Sequence, residues 1–173
     1  MKLKIKVKVL TEGCEPVIIS KGDLIDLRAA EDYEFSAPQA GVQYQKGDLK
    51  YRDVTFDEQV IKLGVAMEFP KGLMGKLKGR SSLTKNHGVV MSCSGEMDNS
   101  YNGNDDEWLL RVFAIRKGTI KKHDRICQFE VVPSQKATFL QKLRWLLSSG
   151  VKIEIVDNLN NENRGNFGSS GVK

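Results

Sequence analysis

The first ten residues, MKLKIKVKVL, set Lys2, Lys4, Lys6 and Lys8 against Leu3, Ile5, Val7 and Val9 at a period of two. That alternation predicts an extended strand with one buried face and one lysine face. Further strand-like stretches follow at Pro16 to Ile19, Asp53 to Thr55, Gln59 to Glu68, Gly88 to Ser92, Trp108 to Ile115, Arg125 to Val132 and Val151 to Val156, with Gly, Asn, Asp or Pro between most of them. Many short strands at this spacing predict a β-sandwich, barrel or jelly roll. The lysine ladder reads most simply as a solvated outer strand kept from edge pairing by its charge, with a phosphate track as the alternative.

One segment departs from the strand pattern. In ATFLQKLRWLLSS, residues 137–149, Phe139, Leu140, Leu143, Leu146 and Leu147 recur at helical spacing and Gly150 follows as a C-cap. The spacing predicts a helix packed onto the sheet. Asp157 to Lys173, DNLNNENRGNFGSSGVK, carries almost no core-forming residues and reads by composition as a mobile tail. Its Arg164, Phe167, Ser169, Ser170 and glycines could instead fold over an anionic ligand. The expected division is one β-domain over 1–156 and a C-terminal arm over 157–173.

A chain of 173 residues, 40% hydrophobic, can bury a single core. Its 27 Lys plus Arg against 22 Asp plus Glu leave a charge of +5, which suits anionic ligands without implying nucleic acid. A nucleic-acid-binding β-domain would interleave aromatics with its basic residues, and the lysine strand has none. The three cysteines, Cys14, Cys93 and Cys127, are widely spaced and fit neither a disulfide framework nor a zinc site. No long apolar run or signal core is present, so a cytoplasmic protein without membrane insertion is expected.

The chemistry concentrates between Gly79 and Gly103, in GRSSLTKNHGVVMSCSGEMDNSYNG. Arg80, Ser81 and Ser82, beside Gly79, can grip phosphates through a fixed guanidinium and two hydroxyls, although such a string can also be an ordinary polar loop. Asp98 offers a carboxylate to act on water and Tyr101 a ring for a base or sugar. Taken alone, Asp98 among Asn and Gly reads as a turn residue, and Asp26, in GDLIDLRAAED, reads the same way.

In chain order the pieces are Asp26-Leu27-Arg28-Ala29, Gly64-Val65-Ala66 with Pro70, Gly79 to Leu83, Gly95 to Asp98 with Tyr101 and Gly103, Asp124-Arg125-Ile126 with Gln128, and Arg164-Gly165 with Phe167 to Gly171. Together they resemble the five ordered motifs of the trimeric dUTPase family from about residue 26 to the C-terminus. The resemblance implies an all-β, distorted jelly-roll-like β-barrel, with the helix near 137–149 inserted and a flexible C-terminal arm. It also implies a homotrimer that splits dUTP into dUMP and pyrophosphate with Mg²⁺, in sites shared between subunits.

By matching position, Asp98 resembles the general base and Tyr101 the ring beneath the deoxyribose. Asp26 resembles the carboxylate that holds Mg²⁺ through coordinated water. Arg80, Ser81, Ser82 and Gln128 resemble phosphate ligands, and Gly95 and Met97 belong to the hairpin, about Ser92 to Met97, whose backbone reads uracil. Arg164, Ser169 and Ser170 resemble the γ-phosphate clamp, with Phe167 and Gly168 forming the lid over the base. In such a trimer Arg80 and Ser81 would serve a site whose Asp98 comes from a neighbouring chain.

Several features depart from the family pattern. Ser92 stands where many members carry Asn, the final motif is two residues shorter, and no Gly precedes Asp26. Three insertions, at residues 38 to 57, Asp105 to Glu107 and the helix, are possible docking sites for a protein partner. The related dCTP deaminase, or a bifunctional enzyme, would need a carboxylate near Arg111, and none is there. A dUTP-responsive regulator of phage type is the other alternative, so the source is either a bacterial cell or a phage-infected host.

Overall fold

The computed structural model describes residues 1–165. Its strands begin with β1 (Leu3–Val9), β2 (Val17–Ile18), β3 (Ile25–Arg28), β4 (Tyr33–Phe35), β5 (Gln39–Lys46), β6 (Leu49–Thr55), β7 (Glu58–Lys62), β8 (Val65–Glu68) and β9 (Leu73–Gly79). After α1 (Leu83–His87) come β10 (Val89–Met91), β11 (Gly95–Met97), β12 (Leu109–Ala114), β13 (Gly118–Ile120) and β14 (Arg125–Pro133). Helix α2 (Phe139–Leu146) and β15 (Val151–Ile155) follow. The expected all-β, distorted jelly-roll class is what this order gives, with open sheets among the described residues. No helix among them is long and apolar enough to cross a membrane.

Strand β1 buries Leu3, Ile5 and Val7 on one face, as its alternation requires. Its lysine face is not an outer edge, and that expectation is corrected. β1 lies between β15, parallel, and β8, antiparallel. Cross-strand carboxylates partner the ladder, with Lys4 3.1 Å from Glu154 and Lys6 3.1 Å from Glu68.

The expected strand from Gln59 to Glu68 is broken in two at Gly64. There φ is +67°, and a Cβ would lie 2.8 Å from that of Cys14. β7 then joins the sheet β10-β12-β7, and β8 joins β1. The largest sheet, β11-β9-β14-β3-β2, carries most of the candidate site. Trp108, Phe129 and Phe69 meet beneath it, with ring centroids 5.1 Å apart for Trp108 and Phe129 and 5.8 Å for Trp108 and Phe69.

The helix forms where its periodicity predicts, started by a capping box in which the Gln141 amide donates to Thr138 and the Thr138 amide donates to the Gln141 side chain. It caps at Leu147, before Gly150. Its packing is the reverse of the expectation. Trp145 turns inward and donates its indole N–H to the Val131 carbonyl at 2.8 Å. Gln141, one turn earlier, lies on the same side, which points Phe139, Leu140, Leu143, Leu146 and Leu147 outward. The first insertion forms the β5–β6 hairpin, exposed along both strands, with Tyr44 stacked on Tyr51.

The tail also departs from its composition. Leu159 is 2% exposed, and the chain from Asn158 to Gly165 is bonded to the loop after Tyr101. Replacing Trp108, fully buried among rings, by Ala is expected to lower unfolding free energy by about 3–5 kcal/mol, measured by denaturant titration. A loss under about 1 kcal/mol would place the centre of the core elsewhere.

Candidate functional site

The site residues fall into two groups at opposite ends of β9. Arg80 follows its C-terminal end, where the Arg80 amide donates to the Ile126 carbonyl at 3.1 Å. The Arg80 Nε lies 3.4 Å from Oδ1 of Asp26, and Nη1 of Arg125 donates to Oδ2 of Asp26 at 3.3 Å. Asp26 is 2% exposed, so its charge is tolerated because two guanidinium groups flank it. Gln128 stands in register with Asp26 on β3 and with Lys78 on β9. Ser81 and Ser82 begin the turn into α1, and Ser82 spends no side-chain bond on capping it. Two cations around one carboxylate leave this end net positive, as phosphate requires.

The other end carries Asp98, directly after β11. Both the amide and the hydroxyl of Ser100 donate to its Oδ1, and Nη1 of Arg164 donates to its two oxygens at 3.1 and 3.3 Å. Partial burial pushes the Asp98 carboxyl up, but the Ser100 bonds and the Arg164 charge together outweigh it and hold the group below its ordinary value. Asp98 is therefore ionised throughout the neutral range. Tyr101 closes a turn back to Asp98 and donates its hydroxyl to the Glu107 carbonyl. Burial, with the charges of Asp106 and Glu107, pushes its phenol up to about 12, so it stays protonated.

The expected hairpin over Ser92 to Met97 is instead a crossing between sheets, since β10 pairs with β12 and β11 with β9. Beside Asp98 it borders a cavity of about 470 Å³, lined by Cys93 to Met97 with Met91, Leu109 and Arg111. Ser92 donates its amide and its hydroxyl to the Arg111 carbonyl, at 3.0 and 3.3 Å. Its side chain thus ties β12 to the crossing segment. Another cavity, about 440 Å³ between α2 and the start of β1, contains none of the candidate residues.

The strand pairing measures how far apart the two groups lie. Met97 is opposite Gly75, which sets Asp98 level with Met74, six residues before Arg80. At about 3.3 Å per residue the separation is roughly 20 Å. A general base must reach the attacking water within hydrogen-bonding distance. One chain therefore does not bring Asp98 to its own Arg80, Asp26 and Gln128, although it does bring Arg164 to Asp98.

Three neighbours were not singled out by their sequence context. Arg125 sat unmarked in the fourth motif, Ser100 looked like turn filler, and Asp106 lay in an unassigned insertion. Phe167, Gly168, Ser169 and Ser170 fall outside the described residues. No group of three metal-ligating side chains is close enough among the described residues to hold an ion directly. Both oxygens of Asp26 carry a guanidinium, so this carboxylate offers an ion no free direct ligand, and contact through a coordinated water is the form left to it.

The dUTPase family model matches residues 48–171. The chain is 38% identical over 173 residues to the SPbeta prophage-derived deoxyuridine 5'-triphosphate nucleotidohydrolase of Bacillus subtilis, covering 99% of this chain and 100% of that protein. It is 30% identical to the deoxyuridine 5'-triphosphate nucleotidohydrolase of Escherichia phage T5, over 98% of this chain and 99% of that one. Among solved structures, the dUTPase of Streptococcus mutans aligns with a TM-score of 0.59 at 18% identity, over 77% of this chain and 98% of that chain. A variant dUTPase from phage phi11 of S. aureus, described as coordinating a structural Mg(II) ion, aligns with a TM-score of 0.58 at 19% identity, over 78% and 94%. At those identities the two structures speak for the fold.

The depressed Asp98 carboxyl is directly measurable. Its stabilising contribution is present above the unfolded-state value and is lost as pH falls through the lower folded one. Carboxyl-detected NMR titration is expected to place Asp98 below the ordinary aspartate range, and Ser100→Ala to raise it. An unchanged titration in that variant would show that Ser100 does not hold the charge.

Proposed function

This chain belongs to the dUTPase family, and from that premise we propose that it hydrolyses dUTP to dUMP and pyrophosphate, with Asp98 as the base that activates water. The observation that carries the reading is the Asp98 group: an ionised carboxylate bonded to the Arg164 guanidinium directly follows Met97, which lines a cavity of about 470 Å³. Uracil lies against the backbone of Cys93 to Met97, with the deoxyribose over Tyr101. Met97 closes the cavity and Asp98 follows it directly, so the carboxylate stands where the sugar gives way to phosphate.

Arg80, Ser81, Ser82 and Gln128 hold the phosphate chain, with Arg125 and Asp26 fixing the guanidinium of Arg80. Because these lie roughly 20 Å from Asp98 along β9, the phosphate ligands of one site come from a neighbouring copy, in a homotrimer. Asp98 takes the proton from water, water oxygen bonds to phosphorus, and the bond between the α- and β-phosphates breaks. Arg164 moves from the carboxylate to the phosphates, and Phe167, Gly168, Ser169 and Ser170 complete the enclosure. Asp26 would hold Mg²⁺ through coordinated water, and the ion would neutralise charge on the phosphates.

The strand position where a deaminase would carry its proton-shuttling carboxylate holds Arg111, which supports the hydrolase reading, while the carboxylate that does line the cavity, Glu96, lies on β11. The three free cysteines, two of them buried, support a reducing cytoplasmic setting.

With Mg²⁺, pyrophosphate release from dUTP is expected to exceed that from dCTP, dTTP and UTP in a coupled assay. Asp98→Asn should lower kcat by about 10²- to 10⁴-fold while dUTP still binds. Ammonia release from dCTP, or undiminished turnover in Asp98→Asn, would contradict the assignment.

A further inference from the structure

Asp106 is a carboxylate with no exposure to solvent. Burying such a charge is costly unless its oxygens are satisfied. The Gly103 amide donates to Oδ2 at 2.8 Å, the Arg164 amide to the two oxygens at 3.0 and 2.9 Å, and the Gly165 amide to Oδ1 at 2.9 Å. Consecutive amides converging on one anion form a nest. Gly165 permits it with φ +90°.

The nest is the last of a series of contacts along the same segment. Asn104 accepts from the Leu159 amide, and the Asn161 side chain donates to Glu68 and to the Asn102 carbonyl. Asn163 and Asp105 exchange two bonds, at 2.9 and 2.7 Å. At Gly103 the two backbones touch, since a Cβ there would fall 2.5 Å from the Asn163 Cα. The segment so held ends with the Arg164 guanidinium on Asp98 and Ser100.

We propose that Asp106 is a positioning residue for the reaction: its buried carboxylate fixes the C-terminal segment at Arg164 and Gly165 and so keeps the Arg164 guanidinium beside Asp98. Its kinetic consequence rests on the dUTP-hydrolase reading. An Arg164 already fixed beside Asp98 has less freedom to lose when nucleotide binds, so less binding energy is lost to entropy. The Asp105 to Glu107 insertion then has a role, since Asp105 holds Asn163, Asp106 holds the next two amides, and the Glu107 side chain accepts from the Gly64 amide at 2.9 Å.

Three readouts on the full chain test this, and the first two need no nucleotide, so they succeed or fail independently of the hydrolase reading. In the wild-type protein, NMR hydrogen exchange should show the Arg164 and Gly165 amides protected; exchange at the rate of an unstructured chain would overturn the proposal. Asp106→Asn sets an amide group against backbone donors. Trypsin cleavage after Arg164, followed by mass spectrometry as loss of residues 165–173, should then accelerate roughly tenfold or more. In the same variant KM for dUTP should rise several-fold with kcat changed far less. Unaltered cleavage and an unaltered KM in Asp106→Asn would overturn the proposal, as would a fall in kcat alone.

Discussion

The antiparallel pairing of β9 with β11 on one side and β14 on the other decides what this chain can do by itself. Met97 opposite Gly75 leaves Asp98 at one end of β9, and Cys127 opposite Gly79 leaves Arg80, Arg125 and Asp26 at the other. A slip of one residue would turn every side chain to the wrong face of the sheet, so this separation is as fixed as the fold. The charges differ to match. One end is net cationic around a buried carboxylate, and the other is a carboxylate and guanidinium pair beside a cavity. In the proposed function each is half of a nucleotide triphosphate site, and the halves join between copies.

Buried carboxylates do the organising at both ends. Asp26 holds two guanidinium groups in place, and Asp106 holds two consecutive amides of the C-terminal segment. In each case the cost of removing a charge from water is offset by donors that no single element supplies, which ties sequence-distant segments into one geometry. The contact between Arg164 and Asp98 is a product of this arrangement. It keeps the Asp98 carboxylate ionised and holds the Arg164 guanidinium beside it.

What the sequence revealed depended on how local the controlling interaction was. β1 was legible because its alternation is self-contained, and α2 because Phe139 to Leu147 repeat at 3.6. The side that α2 buries was not, since Trp145 wins that choice through the distant Val131 carbonyl. β9 escaped notice because Gly75 and Gly79 look like turn residues until Trp108 is known to pack against Gly75. The family was legible by resemblance, because its motifs stand in order along the chain. Asp106 left no signal, because two of its three amide partners are 58 and 59 residues away, and Leu159 was hidden in a stretch of asparagines.

The shared site is the central claim, and subunit mixing tests it most directly. Asp98→Asn and Arg80→Ala each disable a different half, so each homo-oligomer should turn dUTP over poorly. Co-refolded mixtures should recover activity well above the sum of the two, because some sites then combine an intact Asp98 from one copy with an intact Arg80 from another. Mixtures no more active than that sum, with mixed oligomers verified by mass spectrometry, would contradict the account.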